Sequence, residues 1–118
     1  MITITNIVIT LIACLHVYIL ILEMFLWDKP AGLRAFGQTQ AAATASRVLA
    51  ANQGLYNGFL AAGLFWGLSQ GSDGEQFKIF FLSCVLIAGI YGALTANRKI
   101  LFIQAIPAAV GLILLFSS

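Results

Sequence analysis

Charged residues are scarce in this sequence. Only 8% of its 118 residues are Asp, Glu, Lys or Arg, whereas soluble domains carry about 25%. Hydrophobic residues make up 61% of the chain, and the mean hydropathy is +0.99. A soluble domain of this length has no core large enough for so many apolar side chains. The composition therefore excludes an ordinary soluble domain and predicts a membrane protein.

Cysteine and histidine are almost absent, which limits the possible chemistry. Cys14 and Cys84 lie far apart and form no Cys-x-x-Cys pair, so we expect two buried free thiols. His16 is the only histidine, and with Glu23 it leaves a tetrahedral zinc shell two ligands short. The hydrolase motif His-Glu-x-x-His does not occur, nor does a basic stripe with interleaved aromatic residues. The sequence predicts no metal, no cofactor and no nucleic-acid partner, and it leaves open whether the protein is an enzyme.

Long apolar runs are the main feature that the sequence does have. A mostly uncharged run of about 20 residues is typical of a transmembrane helix. Four such runs can be drawn: Ile4 to Trp27, Val48 to Ser69, Phe77 to Ala96 and Ile100 to Ser117. We therefore predict an all-α membrane protein, with residues 1–118 forming a single membrane domain and an antiparallel four-helix bundle. No basic residue precedes the first run, so we expect it to be retained and not cleaved as a signal peptide.

The basic residues predict the orientation of these helices. Most of them lie in the first and third connections between the runs: Lys29, Arg34 and Arg47 in the first, Arg98 and Lys99 in the third. The second connection has only Lys78, beside Asp73 and Glu75. Because basic connections stay in the cytoplasm, both termini are expected outside.

The first connection contains signals for the ends of two helices. The stretch Lys29-Pro30-Ala31-Gly32 is expected to stop the first helix, because proline disfavours helix in the residue before it. The stretch from Thr39 onward is rich in helix-forming residues, so two starts are predicted for the second helix: at Thr39 as its N-cap, or at Val48.

Polar side chains inside the apolar runs indicate where a site could lie. Counting from the cytoplasmic ends places Glu23 level with Asn52 and Gln53, and His16 level with Asn57 and Tyr56. The third and fourth helices add Tyr91 and Gln104 near the same end. We predict a polar cavity, open to the cytoplasm, that binds a small amphipathic or lipid-like molecule. Its candidate residues are His16, Glu23, Asn52, Gln53, Tyr56, Asn57, Tyr91 and Gln104.

Each of these residues also has a structural interpretation. Glu23 could pair with Lys29 or Arg34, and His16 could bond to Asn57 or a backbone carbonyl. The amides could hold neighbouring helices together. Two Gly-x-x-x-Gly pairs, Gly54 with Gly58 and Gly63 with Gly67, indicate close helix packing, either within the chain or in a homo-oligomer.

Two stretches carry a resemblance to a known family. They are Leu-Glu-Met-Phe-Leu-Trp at 22–27, preceded by His16, and Val-Leu-Ala-Ala-Asn-Gln-Gly-Leu-Tyr-Asn-Gly at 48–58. Both resemble signature stretches of the small bacterial integral membrane proteins known as domain of unknown function 1304. The resemblance implies a multi-pass, four-helix protein of the bacterial inner membrane, and it implies no activity or ligand.

Three classes of function remain open from the sequence. The first is a ligand-binding protein, or a membrane enzyme that transfers protons through Glu23 and His16. The second is a small proton-coupled transporter, because small multidrug exporters share the length, the four helices and a membrane glutamate in the first helix. The one-sided basic residues and the position of Glu23 near a helix end weaken that comparison. The third is a structural or assembly subunit whose polar groups serve packing.

Overall fold

The computed structural model of the protein describes residues 3–117, which form helices joined by short turns and contain no strand. There are five α-helices in this range: α1 (Ile4–Phe25), α2 (Pro30–Phe36), α3 (Gln40–Ser69), α4 (Glu75–Thr95) and α5 (Ile106–Ser117). A 3-10 turn (Gly71–Gly74) precedes α4, and a π-helical segment (Leu101–Ala105) precedes α5. The prediction of an all-α fold is confirmed.

Two helical segments in the described range are long and apolar enough to cross a membrane. They are Ile4–Phe25, with a mean hydropathy of 2.4, and Gly71–Thr95, with 2.0. They correspond to the first and third predicted spans. The second, α3, has 30 residues but is less apolar, because the amides of Asn52, Gln53 and Asn57 lie within it. The fourth, Leu101–Ser117, is apolar but shorter, so two of the four predicted spans are long and apolar enough to cross a membrane.

The first connection contains a short helix that the sequence did not predict. Pro30, expected only to stop α1, is the first residue of the seven-residue α2. Proline suits this position, because its φ is already helical and the first N–H of a helix needs no partner within it. The helix ends at Gly37, whose φ of 62° lies in the left-handed region that glycine adopts readily.

The predicted start of α3 at Thr39 is confirmed. The backbone N–H of Ala42 donates to Thr39 Oγ1 at 3.2 Å, and that of Ala43 donates to the Thr39 carbonyl at 3.0 Å. Thr39 is therefore the N-cap, and the longer of the two predicted versions of this helix is the observed one.

The packing falls into two units, one formed by residues 3–14 and 60–117 and the other by Leu15–Phe59. The core of the first unit consists of small and aliphatic side chains: Ile9, Ile12, Ala13, Leu64, Leu82, Val85, Ala108 and Leu115. Within this unit, Gly89 of α4 lies against the π-helical segment. A Cβ there would be 2.8 Å from the backbone nitrogen of Ala105. The two backbones approach this closely because both residues are small.

The π-helical segment replaces the first turn of the predicted fourth helix. The N–H of Ile106 donates to the carbonyl of Leu101, five residues earlier, in place of the usual four. Pro107 follows directly and has no N–H to donate to the carbonyl of Ile103, so regular α-helical bonding is interrupted at this point. The side chain of Gln104 in this segment donates to the carbonyl of Val85 at 3.2 Å.

Candidate functional site

In the unit Leu15–Phe59, α1 and α3 pack closely against each other through glycine. A Cβ on Gly54 would lie 2.6 Å from Met24 Cγ and 3.1 Å from Glu23 Cβ, and one on Gly58 would lie 2.6 Å from Leu20 Cδ1. Gly58 comes later than Gly54 on α3, but its contact Leu20 comes earlier than Glu23 on α1. The two helices are therefore antiparallel here. The Gly54–Gly58 pair serves close packing within the chain, as one of its two predicted roles required.

Glu23 and Asn57 form the central polar contact of this unit. Asn57 Nδ2 donates to Glu23 Oε1 at 2.5 Å, and the Glu23 side chain is only 7% exposed. The predicted pairing of Glu23 was wrong, although the count of depth was close. Gly54, next to Gln53, lies against Glu23, but Asn52 and Gln53 are both exposed. Side chains on a helix lean toward its N-terminus. In antiparallel helices Glu23 and Asn57 therefore lean toward each other, and they meet although their Cα positions lie at different levels.

His16 lies seven residues before Glu23 on α1, which is close to two helical turns. The two side chains therefore share one stripe of the helix, and Leu20 lies between them. The imidazole is completely buried, at 0% exposure. The amide of Asn57, the predicted partner of His16, is used by Glu23.

The other candidate residues on α3 point away from this contact. Asn52 is exposed, and its Nδ2 donates to the carbonyl of Val48 on its own helix at 2.9 Å. Gln53 is exposed, and Tyr56 is 61% exposed, with its ring centroid 6.0 Å from that of Phe59. Of the four candidates on α3, only Asn57 is half-buried and joined to α1.

Tyr91 and Gln104 belong to the other unit. Tyr91 of α4 is 69% exposed. Gln104 is half-buried, and its bond to the Val85 carbonyl joins the π-helical segment to α4.

A second group of contacts in the unit Leu15–Phe59 involves residues outside the predicted site. Trp27 Nε1 donates to Ser46 Oγ at 3.0 Å, and the Trp27 ring lies 4.8 Å from that of Phe36. Arg47 forms an ion pair with Asp28 at 3.6 Å. No local motif predicts these contacts of Ser46 and Asp28, because the partner of each is distant in the sequence.

Metal-binding groups do not come together in the described range. Across residues 3–117, no three His, Cys, Asp or Glu side chains are grouped so that they could hold a metal ion. Cys14 and Cys84 are both free thiols, and Cys14 is exposed where burial was expected. The chemistry available in the unit Leu15–Phe59 is that of a buried carboxyl, an imidazole and an amide.

Comparison with known proteins places the chain in a family. It is similar to the uncharacterised protein YpaA of Lactococcus lactis subsp. lactis (strain IL1403), with 31% identity over 114 residues, which covers 94% of this chain and 96% of that protein. No solved structure matches the chain. Residues 10–116 match the family described as "Protein of unknown function (DUF1304)". The chain therefore belongs to this family of unknown function, as the resemblance of its two signature stretches predicted.

Proposed function

We propose that the protein is a four-span membrane protein that binds a small amphipathic or lipid-like molecule at Glu23, Asn57 and His16. The four spans are α1, α3, α4 and the segment Leu101–Ser117. The ligand proposal rests on the buried carboxyl of Glu23 in the strongly apolar helix α1. The amide of Asn57 binds this carboxyl, and the buried imidazole of His16 lies on the same stripe of the helix.

The surface of the helices supports the membrane placement. Only 33% of an 18-residue apolar stretch within Ile4–Phe25 is buried, and only 22% of the corresponding stretch within Gly71–Thr95. A core helix of a soluble protein would be mostly buried. Large apolar side chains remain exposed on several helices, for example Ile4 at 71%, Leu94 at 81% and Phe116 at 70%. Exposed apolar surface of this extent is unfavourable in water and favourable in a hydrocarbon environment.

The bonding of the α3 amides supports a third span. An amide facing lipid without a partner costs several kcal/mol. Asn52 bonds to its own helix and Asn57 bonds to Glu23, so two of the three amides that lower the hydropathy of α3 have partners. The basic residues before α3 and between α4 and α5 support a cytoplasmic location for both connections.

The chemistry of the buried groups indicates the class of ligand. A carboxyl and an imidazole can each accept or donate a hydrogen bond, depending on protonation. Ionisable groups inside a membrane are costly to place there, and they mark binding sites and proton relays. A ligand with a hydroxyl, amine or carbonyl head and an apolar tail would match both the polar pair and the apolar residues around it. Glu23 and His16 are also the two side chains that could exchange a proton with such a molecule.

A structural role is the second candidate, and the Asn57 bond itself favours it. This bond joins α1 to α3, and interhelical bonds of this kind stabilise membrane bundles by about 0.6 kcal/mol on average. If packing were its only purpose, an amide in place of the carboxyl would serve equally well.

The Glu23→Gln variant separates these two roles. Glutamine keeps the size and most of the bonding capacity of glutamate but cannot carry charge or release a proton. We expect Glu23→Gln to fold and to retain at least tenfold less of a co-purifying amphiphile, the loss of about 1.4 kcal/mol of binding. The measurement is native mass spectrometry of protein purified from its own membrane, with the exposed Glu75→Gln as the matched control. If Glu23→Gln and His16→Gln both fold and retain the same bound species as wild type, the cluster serves packing alone.

The orientation is tested by cysteine labelling in a background that carries Cys14→Ala and Cys84→Ala. We expect Ser72→Cys, between α3 and α4, to react with an impermeant thiol reagent in intact cells. We expect Gln40→Cys, at the start of α3, to react only after the cells are opened. The reverse pattern would show that the termini face the cytoplasm.

A further inference from the structure

Lys78 is a buried cation on an apolar helix, and the function proposed above does not use it. Its side chain is 7% exposed, and its Nζ donates to Asn6 Oδ1 at 3.1 Å. The aliphatic part of the side chain packs over Gly67, where a Cβ would lie 3.0 Å from Lys78 Cγ. Within residues 3–117 no carboxylate forms an ion pair with it. A buried charge is costly unless it is paired, so a neutral amide alone compensates Lys78 poorly.

The position of Lys78 in the fold adds to the positive potential around it. It lies close to the start of α4, where the helix dipole is positive and disfavours a cation. Glu75, in the first turn of the same helix, is exposed and makes no ion pair with Lys78 in the described structure. An ammonium group has three N–H donors, and Asn6 accepts one of them. An anion at this point would be favoured by both the charge and the remaining donors.

An apolar groove begins at the partner of Lys78. It is shallow, has a volume of about 330 Å³, and is lined by Asn6, Ile7, Thr10 and Leu11 of α1. The Thr10 hydroxyl donates to the Asn6 carbonyl at 2.7 Å, so it is already occupied. Ile7 and Leu11 are 48% and 64% exposed. The groove therefore ends at Asn6, whose Oδ1 accepts the bond from Lys78, and it is apolar along the rest of its length.

We propose that Lys78 and Asn6 bind the phosphate of an anionic phospholipid, with an acyl chain lying along Ile7 and Leu11. The Lys78 ammonium and the Asn6 side-chain amide supply the donors, and the groove supplies the apolar contact for the chain. The site favours a lipid over free phosphate, because the apolar groove begins at Asn6, the residue that is bonded to the cation. This inference rests on the membrane placement proposed above, but it does not depend on a ligand at Glu23.

The test measures the lipid preference of the full-length protein purified in detergent. Phosphatidylglycerol, phosphatidylcholine and inorganic phosphate are titrated separately, and binding is followed by native mass spectrometry and by the shift in Tm. We expect wild type to bind phosphatidylglycerol about fivefold more tightly than phosphatidylcholine, the effect of one lysine near an anionic headgroup. Lys78→Gln should lose this preference, whereas Lys99→Gln, an exposed lysine after α4, should keep it. Inorganic phosphate should give no comparable stabilisation.

A second pair of variants tests the groove without removing the buried charge. Leu11→Gln should weaken the binding of both lipids, whereas Leu94→Gln, which changes a leucine that is 81% exposed on α4, should not. Unchanged phosphatidylglycerol affinity in Leu11→Gln overturns the proposal even if Lys78→Gln does not fold. Equal affinities of wild type for the two lipids, or a preference that survives Lys78→Gln, also overturn it. Stabilisation by inorganic phosphate equal to that by phosphatidylglycerol would identify a phosphate site in place of a lipid site.

Glu23→Gln, taken through the same titration, separates this inference from the proposed ligand site. It should keep the phosphatidylglycerol preference, because the change leaves Lys78 and the groove intact. Loss of the preference in this variant would mean that the lipid effect arises at Glu23. Extraction of the membranes with alkaline carbonate tests the membrane placement by itself, since a four-span protein stays in the pellet.

Discussion

Replacing Asn57 with leucine should lower the free energy of unfolding by about 1 to 3 kcal/mol. The change removes the donor to Glu23 Oε1 while Glu23 stays buried at 7% exposure, so the carboxyl loses its partner without gaining solvent. Chemical unfolding in detergent micelles measures the loss.

The same substitution five residues earlier on α3 is the matched control. Asn52 is exposed and bonds only to the Val48 carbonyl of its own helix, so Asn52→Leu should leave the stability nearly unchanged. Combining Asn57→Leu with Glu23→Leu should recover part of the loss, because removing both members of a buried polar pair costs less than removing one. Equal losses in Asn57→Leu and Asn52→Leu would show that the Glu23 bond does not contribute to stability.

Replacing Gly74 with alanine should lower the free energy of unfolding by about 3 kcal/mol, the upper range for overpacking. A Cβ on Gly74 would overlap the carbonyl of Gly67, which belongs to the backbone at the end of α3. Rotation of a side chain cannot relieve such an overlap, so the turn between α3 and α4 would have to shift. Thermal unfolding in detergent is a suitable measurement.

Gly71 in the same turn is the control, because it tests backbone conformation without crowding. Its φ is 60°, and nothing lies within 4 Å of an added Cβ. Gly71→Ala should therefore cost only the strain of a left-handed alanine, about 1 kcal/mol. If Gly71→Ala costs as much as Gly74→Ala, backbone conformation and not close packing explains the glycines of this turn.

Local signals in the sequence predicted several features correctly. Composition alone predicts helices throughout, because 61% hydrophobic residues in long runs suit no other arrangement here. The N-cap at Thr39 was predictable because a cap depends on residues within a few positions of itself. The helix at Pro30 was missed because proline both ends and begins helices, and α2 is too short to show a periodic pattern.

Contacts between distant residues could be predicted only in part. Burial of His16 and Glu23 followed from their place in an apolar run, but the pairing of Glu23 with Asn57 depends on the lean of each side chain. Counting along the helix does not include this lean. Trp27 with Ser46 and Lys78 with Asn6 are paired across long stretches of chain, and no sequence pattern links them.

The π-helical segment before α5 has a consequence for changes in chain length. Each residue turns a regular helix by about 100°, and the π-helical turn holds one residue more than an α-helical turn. Deleting one residue between Leu101 and Ala105 would therefore allow ordinary α-helical bonding without rotating the helix that follows. Ordinary α-helical bonding at unchanged chain length would rotate that helix. Ala108, Gly111 and Leu115, which are buried together on one side of α5, would then swing away from Leu82 and Ile12. Relatives with a regular helix at this point should therefore carry their small and apolar residues one position earlier in the pattern. The irregular turn thus sets which face of the last helix reaches the core.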